Sequence, residues 1–377
     1  MRAAGADVRI VALQRLLSEC FATPVTVDRW ERLEPWAVSR ARLRGTVVPS
    51  SVVVKWMRGG DAPKRLRTEV AALRFLSEDL GVVLAPRVIA VDFAADYLVL
   101  EDLAPRVALD RLLRHDGAAA HGDRLTAYAR IRGELGAVTA GTAAGYYARR
   151  AELGPVDRAT DLAGRFAPLR AVALEQAAAL GAPVHGPAEA ELTAALDELH
   201  NPGPFLALSN GDAEANNVML HPSGPADARL IDFEFAGCTH TLTDAVCLHV
   251  PGPGWMTVGD PSATGLADQY RRALARGIPQ AEDDRRYGQG LAAACMSWAL
   301  IRLQRFASLD ARAAGDRSRP QLVATLEATA DTAAAFAALP HLTGWSRRVA
   351  ALLRRRWPDA DLDFSGPGGL PPYQPRA

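Results

Sequence analysis

The stretch that decides the fold is "ALSNGDAEANNVMLHPSGPADARLIDFEFAG", residues 207–237. It places Asp212 five residues before Asn217 and ends a short apolar run on Asp232. The runs "NVMLH" and "ARLIDFEF" are joined by the turn "PSGPAD", the pattern of a two-stranded ribbon. Such a ribbon brings Asn217 and Asp232 to one rim. Asp and Asn oxygens are hard ligands that suit Mg²⁺ together with nucleotide phosphates. Asp212 beside them is placed to orient a substrate hydroxyl and accept its proton. The same division of labour serves kinase-type phosphoryl transfer, where a metal-binding Asn follows the catalytic Asp by five residues.

A second half has to hold the nucleotide. Residues 25–103 read as a small sheet. Three β-rich runs, "VTVDRWERL", "AVSRARLRG" and "SSVVVKWM", form a meander punctuated by Pro35, Gly45 and Pro49. A helix follows with Leu66, Val70, Leu73 and Leu76 on one face, then strands around "APRVIAVDF" and "DYLVLEDL". Lys55 falls in the third strand and Glu69 in the helix, the pair that grips phosphates in this architecture. Backbone groups near Glu101 to Leu103, where the chain leaves the sheet, are candidates for an adenine edge. Ser39, in "LEPWAVSRARL", is a candidate phosphate contact where a Gly-x-Gly-x-x-Gly loop is missing.

In this order, strand Lys55, helix Glu69, "YLVLEDL", "NGDAEANN" and "LIDFEFAG" resemble the aminoglycoside phosphotransferase and choline kinase-like family. The resemblance spans residues from about 25 to 250. It implies a protein-kinase-like two-lobed α+β fold and ATP- and Mg²⁺-dependent phosphorylation of a small-molecule hydroxyl on an aminoglycoside-like antibiotic, amino alcohol or sugar. By it, Asp212 is the catalytic base, and Asn217 and Asp232 bind magnesium. Lys55 contacts phosphate, Glu69 positions it, and Asp244 in "TLTDAV" braces the catalytic loop. The family commonly carries His two residues before the catalytic Asp. Here Asn210 stands there, which also donates and accepts hydrogen bonds. That exchange and the missing glycines motivate the alternative, a catalytically weak nucleotide-binding scaffold or regulator.

Each residue alone has a plainer explanation: a strand lysine in solvent, a helix cap at Asp244, a tight turn at Asn210–Gly211. Their order along the chain is what carries weight. Lys+Arg and Asp+Glu number 43 each over 377 residues, which argues against a basic nucleic-acid surface. The four cysteines lack CxxC spacing and read as buried free thiols, and the scattered histidines suit no zinc pattern. No apolar run is long enough to span a membrane, and the cytoplasm is the expected location. "RRVAALLRRRW", residues 347–357, reads as a helix that packs its apolar face and leaves its arginines in solvent.

Residues 1–103 are expected to form the nucleotide lobe, 104–357 a helical catalytic and acceptor lobe, and 358–377 a flexible tail. "GPGWMTVGD" and "GLAAACMSWALIRLQRF" are the expected acceptor walls, with Trp255, Asp260, Trp298 and Arg302 as candidates.

Overall fold

The computed structural model describes residues 2–33, 37–162, 164–251, 262–316 and 318–361. Pro35, Trp255, Asp260 and most of the C-terminal tail lie outside the described residues. The chain opens with helix α1 (Arg2–Phe21). The meander follows as β1 (Thr26–Leu33), β2 (Val38–Arg44) and β3 (Ser51–Trp56), then α2 (Ala62–Arg74), β4 (Val88–Asp92) and β5 (Tyr97–Glu101). These five strands form one antiparallel sheet in the order β1-β2-β3-β5-β4, with α2 inserted after the third strand.

Side chains alternate across the pleat, so β5 serves two cores at once. Tyr97 and Val99 join Val52, Val54, Ala41 and the α1 residues Leu13 and Leu17 on one face. Leu98 and Leu100 join Leu66, Val70, Leu73 and Leu76 on the other. The expected apolar stripe of α2 is therefore real, and α1 covers the opposite face. Lys55 sits between Val54 and Trp56 and shares the α2 face.

The chain then runs through β6 (Val107–Ala108), α3 (Leu109–Asp116), α4 (Gly122–Thr139), α5 (Ala143–Glu152), α6 (Arg158–Asp161), α7 (Ala167–Ala179) and α8 (Pro187–His200). The break between α4 and α5 falls at Gly141, whose φ of 72° lies where a side chain would be strained. Four short strands come next: β7 (Leu206–Ser209), β8 (Val218–Leu220), β9 (Ala228–Leu230) and β10 (Gly237–His240). β8 and β9 form the expected ribbon, with Val218 opposite Leu230 and β6 on its other edge. β7 pairs with β10. Helices α9 (Val246–His249), α10 (Leu266–Ala275), α11 (Asp284–Leu303), α12 (Phe306–Asp310), α13 (Ser318–Ala335) and α14 (Pro340–Arg356) complete the fold.

Helix α14 buries Val349, Ala350 and Leu353, while Arg347, Arg354 and Arg356 pair with Asp331, Glu327 and Asp310. All four cysteines are free; Cys238 and Cys295 are buried, Cys247 is intermediate and Cys20 is exposed, against the expectation for that residue. Among the described residues, no helix is long and apolar enough to cross a membrane.

Helix α4 passes through the centre of the helical part. It crosses α10 at Gly133, where an added Cβ would collide with the Tyr270 carbonyl oxygen. One turn on, Gly136 faces the Thr241 hydroxyl just as closely. Overpacking so tight a crossing costs about 1–3 kcal/mol. Gly133→Ala is expected to lower the unfolding free energy by that amount, measured by urea denaturation, even though alanine is the better helix former.

Candidate active site

The loop bearing Asp212 hangs from β7. Its last residue, Ser209, donates its hydroxyl to Asp244 Oδ1 at 2.5 Å and receives the Gly211 amide at 2.9 Å. Asp244 thus ties to the loop through the Ser209 hydroxyl. Gly211 holds a φ of 78°, and a Cβ there would strike the Phe235 carbonyl. The loop can approach the segment after β9 only because this residue is glycine.

Helix α4 supplies the main brace. Arg132 is fully buried. Its Nη1 donates to Asn210 Oδ1 at 2.8 Å, and its Nη2 to the carbonyls of Glu214 at 3.2 Å and Asp212 at 3.5 Å. Tyr128, one turn earlier, donates to the Ala213 carbonyl at 2.7 Å. Asn210 Nδ2 donates onward to the Ile231 carbonyl at 3.0 Å, and Asn210 Oδ1 accepts from the Asp212 amide at 3.4 Å. Asn210 therefore links helix α4, the loop bearing Asp212 and the ribbon, using both the donor and the acceptor of its amide.

Burial raises the Asp212 carboxyl above its ordinary value, and the nearby Asp232 charge adds to this; Arg132 opposes both. Asp244 is likewise raised by burial, against Arg132 and the Ser209 hydroxyl. Burial pushes Glu214 up to about 8, helped by the Asp212 charge and resisted by Arg302 and Arg132. One cation, Arg132, thus faces three acids.

The ribbon delivers the other oxygens. Asn217 precedes β8, and its carbonyl accepts the Ile231 amide at 3.0 Å, so Asp232 lies one residue beyond that pairing. Asn217 Nδ2 donates to the Asp212 carbonyl at 3.1 Å, which anchors Asn217 to the catalytic loop. The sequence read a strand through Phe235, yet β9 stops at Leu230. Asp232 adopts a φ of 65°, incompatible with a continuing strand. That turn aims its carboxylate at the sheet.

There it meets Lys55. The ammonium lies 2.7 Å from Glu69 Oε2, 2.5 Å from Asp232 Oδ1 and 3.4 Å from Glu234 Oε2. Burial alone would lower the Lys55 value, but the three carboxylates together hold it well above that of an ordinary lysine. Glu69 Oε1 also accepts the Phe233 amide at 3.3 Å, and Arg65 Nη1 pairs with Glu234 at 3.0 Å. Lys55, Glu69, Asn217, Asp212 and Asp232 are thus gathered in one region.

Ser39 is not brought there. It pairs with Val54 in the sheet and is buried. Directly paired residues share a face, so Ser39 points with Val54 toward α1, away from Lys55. Glu101 donates its amide to the Arg87 carbonyl at 3.0 Å, and the Leu103 carbonyl accepts from Arg106 at 3.0 Å. The residue between them, Asp102, was not singled out from the sequence. It takes Arg40 at 2.7 Å and Ser51 at 2.6 Å, fixing the exit from β5 to the sheet.

Glu234 was also missed, although it stands in the quoted stretch two residues after Asp232. Arg132 and Arg165 gave no signal, being arginines among alanine-rich segments. Glu69, Asp232 and Glu234 offer oxygens within 4.8 Å of one another. Three carboxylates against Lys55 and Arg65 leave a net negative oxygen set, which fits a hard divalent cation. Beyond Asp212 lies a cavity of about 110 Å³ lined by Arg165, Phe166, Phe235, Ser297 and Trp298 among others. Arg302 stands over the Trp298 ring, 5.8 Å from its centroid.

An antiparallel sheet with one helix on the Lys55 face, followed by a helical lobe that carries an Asp-Asn-Asp constellation, defines a protein-kinase-like α+β fold. The chain belongs to the phosphotransferase enzyme family, whose model matches residues 32–287. Among solved structures it is similar to the choline kinase LicA from Streptococcus pneumoniae, at 14% identity over 85% of this chain and 98% of that one, with a TM-score of 0.44. It is also similar to an ethanolamine kinase of Plasmodium vivax, at 9% identity over 87% and 83% with a TM-score of 0.47. A third is APH(2″)-IIa in a ternary complex with streptomycin and ATP, at 12% identity over 78% and 92% with a TM-score of 0.46. No curated protein matches the sequence.

Glu214 carries a pH prediction. Its folded value of about 8 lies above the ordinary 4.5, so the protonated form is the one the fold favours. Its contribution to stability is full below about pH 4.5 and is lost as pH rises through about 8. Glu214→Gln keeps the neutral shape. Denaturation at a series of pH values is expected to show the variant gaining on the wild type between pH 5 and 8.

Proposed function

We propose that the protein is an ATP-dependent O-phosphotransferase acting on the hydroxyl of a small molecule. The observation that carries this reading is the Lys55 ammonium held at 2.7 Å by Glu69 and at 2.5 Å by Asp232, a residue 177 positions away. An ion pair closing so long a loop for stability alone is poor design, because burying charges offsets most of its gain. It makes sense as a pre-set phosphate grip. In this reading residues 1–103 hold the nucleotide and residues 104–357 carry the base and the acceptor.

Lys55 contacts the phosphates, kept charged and oriented by Glu69. Asp232 and Asn217 would hold magnesium, with Glu234 adjacent, and the ion would supply charge neutralisation for the triphosphate. Asp212 orients the acceptor hydroxyl. In the transfer, the acceptor oxygen bonds to the terminal phosphorus, the bond to the leaving ADP oxygen breaks, and the hydroxyl proton passes to Asp212. Most of the acceleration comes from positioning and fixed charge. Asn210 was the motive for a scaffold reading. Its three hydrogen bonds to Arg132, Ile231 and Asp212 are those of a loop support, which favours the catalytic reading.

The test is a single-turnover assay with radiolabelled ATP and a panel of hydroxyl compounds. Asp212→Asn is expected to keep nucleotide binding and lose roughly 10²–10⁴-fold in transfer rate. Asp232→Ala is expected to lose magnesium-dependent nucleotide binding as well. Normal turnover by Asp212→Asn would remove the base from this scheme.

A further inference from the structure

The cavity beside Asp212 carries cations of its own. Arg165 sits on the turn Gly164–Phe166, between α6 and α7. Its guanidinium lies 4.1 Å from the ring centroid of Phe235 and 4.8 Å from that of Phe166. Arg165 makes no hydrogen bond or ion pair with any described side chain. Burial lowers its value, and the charges of Asp212, Asp161 and Glu234 partly offset this, so it stands within electrostatic reach of the proposed transfer line. Arg170, further along in α7, is buried against the same cavity and donates to Ser297 Oγ at 3.3 Å.

A cationic acceptor needs open carboxylates or open aromatic faces. The described lining offers little of either. Asp161 accepts the Tyr147 hydroxyl at 3.0 Å, and Asp244 accepts Ser209. Asp212 is committed to the reacting hydroxyl. Phe235 already carries Arg165 on its ring and Arg65 at 5.9 Å. A half-buried guanidinium that makes no ion pair among the described residues is, by contrast, a ready partner for a carboxylate or phosphate, which its planar fork can grip through two hydrogen bonds.

Building on the phosphotransferase reading, we infer that the acceptor is a small hydroxyl compound bearing an anionic group, bound by Arg165 with Arg170 behind it. Arg165 recognises the anion, Asp212 takes the hydroxyl of the same molecule, and the cation compensates for bringing two negatively charged reactants together.

The test is calorimetric titration of the full chain, with Mg²⁺ and a non-hydrolysable ATP analogue, by four three-carbon compounds differing in charge. These are glycerate, glycerol 3-phosphate, glycerol and 2-amino-1,3-propanediol. At least one of the two anions is expected to bind tenfold or more tightly than the neutral and amino compounds. The preferred anion identifies carboxylate or phosphate as the recognised group. Arg165→Gln is expected to abolish the difference, and Arg165→Lys to restore part of it. Equal or undetectable binding of all four overturns the inference, as does preference for the amino compound or an unchanged preference in Arg165→Gln. Binding of the analogue is read separately. Its failure would count against the phosphotransferase reading, whereas the anion preference, measured in a second titration series without nucleotide, is judged alone.

Discussion

The rest of the structure hangs on one buried ammonium group. Lys55 brings together the third strand, helix α2 that follows it, and the turn after β9, where Asp232 lies 177 positions further along the chain. Its surroundings explain several local oddities. Asp232 leaves strand geometry to reach it, Glu69 is buried on α2, and the Phe233 amide closes on the free oxygen of Glu69. A lysine is suited to this place because its charge is compact and its stem flexible, so one ammonium can meet three carboxylates from different elements.

A second buried cation has the opposite character. Arg132 is rigidly tied to Asn210 and to two carbonyls of the catalytic loop. It steadies the ionised forms of Asp212, Glu214 and Asp244 against the cost of their burial. Lys55 meets only side-chain carboxylates, whereas Arg132 is bound to backbone carbonyls as well. The loop bearing Asp212 is thereby fixed before any substrate arrives, which is how preorganised charge contributes to catalysis.

How much of this could be read in advance depends on how local the signal was. Helix α8 is bounded by local signals, with Pro187 at its start and Pro202 just beyond its end. The five-stranded sheet and the insertion of α2 followed from period-two and period-3.6 patterning. The Lys55–Glu69 spacing and the Asp212–Asn217–Asp232 order were legible as a set. Ser39 was not, since one residue of register decides which face a strand side chain takes. β6, β7 and β10 are too short to leave a periodic trace, and their pairings are non-local. Arg132 and Arg165 owe their importance wholly to what the fold places opposite them.

Helix α1 has a consequence for handling the chain. The family match begins at residue 32, yet Leu13 and Leu17 roof the sheet face formed by Ala41, Val52, Val54 and Val99. A fragment trimmed to the match would present that apolar face to water. Adhesive, poorly soluble material would then reflect a missing roof and not a failure of the Lys55 cluster on the other side.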